Sequence, residues 1–300
     1  MPRIDIDLIE EEWDDDFRPP SDSRYSQAAQ DRIRRDGTGR VVAVDRGRVT
    51  VLFEDELLEA AYAGSMRREK VTVGDRVRVR PPKHENDSAR VTERLDRETV
   101  LLRTADDTTE DERVVVANAE QVAVVISADY LDVGTRFLDR VLVAAGAGGL
   151  DALVCINKLD LVEDTREVDD VEQRYAAAGY EVVRTSAATG EGVDELKWKL
   201  EGCWTAMTGH SGVGKSSLFN LLVPDADHLV GEVGRRGGRH TTVSARALPV
   251  PGHEDTWLVD TPGVRSFGVG SLAPGELAQH FPELRDLDCA LDDCVHDGEP

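Results

Sequence analysis

The sequence predicts an α/β fold built on a phosphate-binding loop, with a small β-barrel ahead of it. Three observations carry that expectation. Gly209-His210-Ser211-Gly212-Val213-Gly214-Lys215-Ser216, continued by Ser217, fits G-x-x-x-x-G-K-[ST] between a strand-like and a helix-like run. The stretches 121–126 and 152–156 are continuously apolar, as parallel strands buried on both faces are. Between Gly37 and Arg80, short β-patterned runs alternate with turn signals such as Asp45-Arg46-Gly47 and Val73-Gly74-Asp75.

In the phosphate-binding loop, glycines let consecutive N–H groups face an anion, and the following helix adds its positive N-terminal end. Lys215 is placed to reach β- and γ-phosphates, and the Ser216 hydroxyl to ligate Mg²⁺. A chain of 300 residues with net charge −23 accommodates two or three domains. No apolar run is long enough to span a bilayer, and Met1-Pro2-Arg3-Ile4-Asp5 lacks the order of a signal peptide. A cytoplasmic protein with no membrane partner, most simply a monomer, is expected. Cys155 and Cys203 read as small core residues, and no disulfide framework is suggested.

Charge divides the chain. Residues 1–36 hold 6 basic and 11 acidic side chains and few core candidates, so a disordered acidic tail is expected. Its arginines leave open a docking role beside the simpler solvating one. Residues 37–103 hold 14 basic and 12 acidic side chains inside an otherwise acidic molecule. Runs at 40–44, 48–53 and 75–80 suggest a small barrel over 37–103, with the oligonucleotide-binding (OB) type as the expectation. The period of two in Arg76, Arg78 and Arg80 puts three guanidinium groups on one face, suited to a phosphate backbone or simply to solvent. An acidic, Thr-rich linker is expected at 104–116, then the α/β domain over 117–276.

In that domain a strand at 121–126 precedes a helix carrying Phe137, Leu138, Val141, Leu142 and Ala145. The strand at 152–156 ends in Asn157-Lys158-Leu159-Asp160. N-K-x-D at the end of a buried strand reads guanine: the Asp160 carboxylate accepts from N1–H and the 2-amino group, a donor pair adenine lacks. Asn157 would hold the far edge of the base and the neighbouring loops, and the Lys158 stem would cover the ring. A helix from Val168 to Ala178 and a strand at 180–184 lead to Ser186-Ala187, placed to offer a backbone N–H to guanine O6. A short helix at 194–200 precedes the phosphate-loop strand. The Gly- and Arg-rich segment 230–239 suits a nucleotide-controlled switch. After it, Thr241 or Thr242 offers a hydroxyl to Mg²⁺. In Asp260-Thr261-Pro262-Gly263 the carboxylate would bind Mg²⁺ through water and the Gly263 N–H would meet the γ-phosphate.

All five GTPase elements are thus present in rotated order, with the guanine-reading loops ahead of the phosphate loop. Circular permutation preserves a sheet when the original termini lie close. The whole reads as a circularly permuted α/β P-loop GTPase, preceded by a small OB-type β-barrel and followed over 277–300 by a partial zinc-binding C-terminal segment.

With Arg239-His240-Thr241-Thr242, the stretch from Asp260 to Gly268, and Cys289…Cys294-Val295-His296, the chain resembles the ribosome small-subunit-dependent GTPase A (RsgA) family over about 37–300. The resemblance implies a barrel that contacts ribosomal RNA, a permuted GTPase domain that turns GTP into GDP with Mg²⁺, and a zinc domain. It implies a late assembly factor whose slow hydrolysis the small subunit stimulates. Val264 stands where Ras-like enzymes carry the glutamine that orients water, so His240 is the candidate for that task, beside Lys215 and Thr242 as the catalytic set. The alternative keeps His240 as a polar switch residue. Cys289, Cys294 and His296 match three zinc ligands, and the fourth would fall at position 302, so weak or absent zinc is expected for residues 1–300. Two other activities fit the motifs: a nucleotide-sensing RNA scaffold with little turnover, and a permuted GTPase acting on another ribosomal RNA, such as that of the large subunit.

Overall fold

The computed structural model describes residues 37–261 and Phe267, with breaks at 46, 67–68, 83–87, 107–108, 225 and 227–244. The tail 1–36, the switch segment 230–243, the residues 262–266 and the segment 277–300 therefore lie outside the described residues.

The first five strands are β1 (Gly37–Asp45), β2 (Arg48–Phe53), β3 (Glu56–Tyr62), β4 (Arg76–Arg80) and β5 (Ala89–Arg94). They pair in the order β1-β2-β3-β5-β4, and β4 returns to β1, closing a barrel. All contacts are antiparallel except β3–β5, which is parallel. Alternation explains the closure: Val77 and Val79 point inward to meet Val41, Val51 and Val91, while the arginines between them point out. β3 and β5 carry no strict alternation, which is why sequence pattern alone misses them. The barrel ends at Arg94, short of the expected 103.

The expected linker is a correction. β6 (Val100–Asp106) and β7 (Thr109–Ala117) form their own antiparallel hairpin, and Leu101 and Val116 at its base are fully buried. β-branched Thr and Val side chains favour the extended state even where acidic residues surround them. The hairpin base locks onto the barrel at Gly74. With φ of +86°, its Cα approaches Ala117 so closely that a Cβ would stand 1.8 Å from the Ala117 carbonyl oxygen.

The α/β unit contains β8 (Gln121–Ser127), α1 (Leu131–Ala147), β9 (Asp151–Asn157), α2 (Arg166–Ala177), β10 (Glu181–Arg184), α3 (Val193–Leu200), β11 (Trp204–Gly209), α4 (Lys215–Leu222), β12 (Arg246–Pro249) and β13 (Trp257–Asp260). Strand order is β10-β9-β8-β11-β13-β12, parallel except for β12. α1 and α2 bury Phe137, Leu138, Val141, Val168 and Tyr175 against one face. α3 and α4 bury Leu196, Leu200, Leu218 and Leu222 against the other, beside Cys155. Burial pushes the Cys155 thiol up to about 12, so it is an inert core group. Cys203 is only half-buried and precedes β11 instead of lying in a strand. Leu138 is fully buried. Leu138→Ala is expected to cost about 2–5 kcal/mol, read as a lower urea midpoint at unchanged slope.

β1 serves both units. A register shift between Val41 and Ala43 marks a bulge, and beyond it Ala43 pairs with Arg246 of β12, joining barrel and α/β sheet into one run of eleven strands. A bulge bends its strand, which lets one strand belong to two differently curved sheets. Among the described residues no helix is long and apolar enough to cross a membrane.

Candidate nucleotide site

In an open α/β sheet the ligand crevice lies at the carboxyl ends of the strands. Here β9 and β11, on either side of β8, and β13 next to β11 end in Asn157, Gly209 and Asp260.

The turn from β11 into α4 is built by glycines. Gly212 has φ of +86° with nothing within 4 Å of the place its Cβ would take, so the loop opens onto free space there. Gly214, at φ +89°, approaches the loop 157–160 so closely that a Cβ would lie 2.2 Å from Asn157 Nδ2. A side chain at either position would be strained, and at 214 it would also displace Asn157. Ser211, Ser216 and Ser217 are exposed, Val213 anchors the loop in the core, and Lys215 is half-buried. His210 packs on Phe137, ring centroids 4.3 Å apart, and Phe137 meets Phe267 edge-on at 5.8 Å. Desolvation lowers the His210 pKa from its ordinary value, which favours the neutral imidazole.

Asn157 is the hub of the site and is fully buried. Its Nδ2 donates to the Val213 carbonyl at 2.8 Å, tying the N-K-x-D loop to the phosphate loop. Its Oδ1 accepts from the Thr185 hydroxyl and from the Ala187 N–H, both at 3.1 Å, tying in the Ser186-Ala187 loop. Lys158 occupies the left-handed region at φ 66°, which turns the chain sharply enough for Leu159 and Asp160 to follow the strand end. The Ser186 hydroxyl donates to Asp160 Oδ1. Lys158 Nζ stands 4.0 Å from Asp129 Oδ1, and Asp129 accepts from the Ser127 hydroxyl.

Three expectations are refined. Asp160 lies exposed although the strand before it is buried, so any penalty for leaving its carboxylate unpaired arises only once a ligand covers it. Neither backbone N–H of the Ser186-Ala187 pair is free: Ser186 N–H goes to the Glu191 carbonyl at 2.9 Å and Ala187 N–H to Asn157. Lys215 Nζ donates to Asp260 Oδ1 and thus bridges the phosphate loop to the end of β13. Beside it the Thr261 hydroxyl donates to the Met207 carbonyl at 2.7 Å, holding the start of D-x-P-G against β11. Thr185, Asp129 and Thr261 escape sequence reading because isolated small polar residues carry no motif. Adjacency to Ser186-Ala187 and to Asp260 was the signal for Thr185 and Thr261, and Asp129 carried none.

His240, Thr241, Thr242 and Gly263, and the zinc candidates Cys289, Cys294 and His296, lie outside the described residues. Among the described residues no group of three or more His, Cys, Asp or Glu side chains forms a metal cluster. The barrel face differs from expectation. Arg76 and Arg78 do lie outward, but each meets a glutamate, Glu98 at 2.6 Å and Glu93 at 3.0 Å, so the face is charge-compensated.

Comparison with known proteins points to one family. The sequence profile of the RsgA GTPase family matches residues 94–270. The small ribosomal subunit biogenesis GTPase RsgA of Gemmatimonas aurantiaca is 39% identical over 273 residues, covering 88% of each chain. That of Thermotoga maritima is 36% identical over 270 residues, covering 87% of this chain and 86% of the relative. Among solved structures, YjeQ from Thermotoga maritima superposes with a TM-score of 0.71 at 32% identity, covering 89% of this chain and 88% of its own. YloQ, described as a circularly permuted GTPase, gives 0.67 at 25% identity, covering 89% and 85%. With more than half its length matched by the family profile and relatives above 30% identity along most of it, the chain belongs to the RsgA GTPase family.

Proposed function

We propose that the protein hydrolyses GTP to GDP and acts as a maturation factor of the small ribosomal subunit in the cytoplasm, switching its hold on that subunit with the bound nucleotide. The observation that carries the reading is the Asn157 side chain, hydrogen-bonded at 2.8 Å to the Val213 carbonyl. It holds the base-reading and phosphate-reading loops at two ends of one crevice. A single guanine nucleotide then spans from Asp160, steadied by Ser186, to Lys215.

Mg²⁺ fits the donor set. Ser216 and Asp260 are hard oxygen donors, Lys215 brings the Asp260 carboxylate to the start of α4, and Mg²⁺ commonly takes only one or two protein ligands. Bound there it would neutralise charge on the β- and γ-phosphates. The residues around it do the rest. On triphosphate binding Lys215 exchanges Asp260 for phosphate oxygens. The backbone N–H groups from Gly209 to Ser217 cradle the β-phosphate. Gly263 N–H would meet the γ-phosphate, and Thr241 or Thr242 would offer a hydroxyl oxygen to the metal. Val264 has no polar group with which to orient water, so that task passes to His240, and a slow basal hydrolysis is what the small subunit stimulates.

The barrel, read as OB-type from its strand order, is the RNA-facing module. Arg76 and Arg78 exchange their exposed glutamate partners for phosphates, since such pairs are worth only about 0–1 kcal/mol. Cys289, Cys294 and His296 supply zinc donors that hold the metal tightly only with a fourth.

Small subunits are expected to raise the GTPase rate of the full chain, and large subunits to leave it unchanged. Stimulation by large subunits instead would move the substrate to the other particle. No stimulation by either, with tight GTP binding, would make the protein a sensing scaffold.

A further inference from the structure

β12 is the seam between barrel and nucleotide site, and its first residue, Arg246, faces both. Arg246 is the register partner of Asp260 on β13 and of Ala43 on β1. Directly opposed residues of antiparallel strands project on the same face, their Cβ atoms roughly 5 Å apart. Arg246 therefore leaves the sheet beside the Asp260 carboxylate. Asp45, two residues beyond Ala43, shares that face by the period of two. Its Oδ1 lies 3.7 Å from Arg246 Nη2. Asp260 in turn accepts from Lys215. A row of alternating charge, Lys215–Asp260–Arg246–Asp45, thus runs from the phosphate loop across two strands into the first strand of the barrel.

The opposite end of β1 is held differently. The Arg40 guanidinium lies 3.6 Å over the Trp204 ring and donates to the Asn118 carbonyl, and Trp204 stacks on Trp257 at 5.0 Å. Trp204 and Trp257 begin their strands, so this anchor sits at the amino ends of β11 and β13, away from the crevice. β1 is pinned at the far end of the sheet and meets the charged row at the crevice end. Movement of the barrel about the anchor is felt most at Asp45.

We propose that Arg246 is a positioning residue for Asp260, and that its tie to Asp45 couples the placement of the barrel to the triphosphate end of the site. When Lys215 leaves Asp260 for the phosphates, Arg246 is the cation that keeps the carboxylate oriented, and Asp45 fixes where Arg246 stands. Linkage makes the coupling reciprocal: whatever docks on the barrel changes preference for the γ-phosphate, and the γ-phosphate changes what the barrel holds. The inference rests on the nucleotide reading above.

The test uses the full chain with Mg²⁺ and no ribosomal subunit. The ratio of affinities for a non-hydrolysable GTP analogue and GDP is measured by calorimetry. Asp45 is half-exposed and touches no nucleotide, so Asp45→Ala should keep its urea midpoint and its GDP affinity. Its analogue-to-GDP ratio should fall about fivefold or more, the lower range of allosteric coupling. Asp45→Glu should restore the ratio. Arg246→Ala should lower it too, and the double variant should match the single ones, because both act on one row. An unchanged ratio in Asp45→Ala, or strictly additive losses, overturns the coupling alone. Wild-type chain that binds no guanine nucleotide overturns the function reading, and the coupling with it.

Discussion

Asp160→Asn is expected to turn a guanine-reading protein into a xanthine-reading one. In the proposed reading the carboxylate accepts from guanine N1–H and its 2-amino group. An amide keeps one acceptor but presents an N–H₂ where the 2-amino group stands, and that donor matches the 2-oxo group of xanthine. A hydrogen bond to a charged group is worth about 1.5–3 kcal/mol, so losing the one to the 2-amino group lowers GTP affinity by roughly 10- to 10²-fold. The loop should survive the change, because the Ser186 hydroxyl donates to an oxygen, Oδ1, that asparagine retains. Asn157, which ties the loops together, is untouched. Competition between GTP and xanthosine triphosphate reads the outcome, and retained guanine preference would show that Asp160 does not contact the base.

The legible parts of this molecule are those where a local pattern and a tertiary role coincide. The apolar runs of β8 and β9 appear as strands because a strand buried on both faces needs no alternation partner elsewhere. The phosphate loop is legible because its glycines answer backbone demands that no other residue meets, seen at Gly212 and Gly214. The helix expected at 168–178 is found at Arg166–Ala177, its end marked by Gly179 at φ +90°.

What stayed hidden depends on partners distant in sequence. β5 contains Arg90, Glu93 and Arg94 and becomes a strand only because β3 and β4 flank it. The hairpin β6–β7 was masked by acidic residues whose cost is offset by burying Leu101 and Val116. The outward arginines of β4 were placed correctly, but their glutamate partners, 22 and 15 residues away, could not be paired from spacing. The Asn157 hub shows the same limit. Its motif was visible, while its hydrogen bond to Val213 spans 56 residues. That bond exists because permutation still leaves β9 and β11 on either side of β8.

Lys215→Ala separates the two ends of the crevice. The pair Lys215–Asp260 is partly exposed, with side-chain exposures of 15% and 40%, so its loss should move the urea midpoint little. Contacts with the phosphates are another matter. Truncating one member of a desolvated, hydrogen-bonded charge pair costs about 2–5 kcal/mol, so affinity for GTP and GDP should fall roughly 30- to 4,000-fold. Guanosine, which has no phosphates, should bind as before. The loop 157–160 is held through the Val213 backbone carbonyl and the Thr185 and Ala187 contacts, none of which involves the lysine side chain. Calorimetry with guanosine, GDP and GTP reads all three. A parallel loss for guanosine would mean that the lysine supports the loop itself, and an unchanged GTP affinity would remove Lys215 from the phosphates altogether.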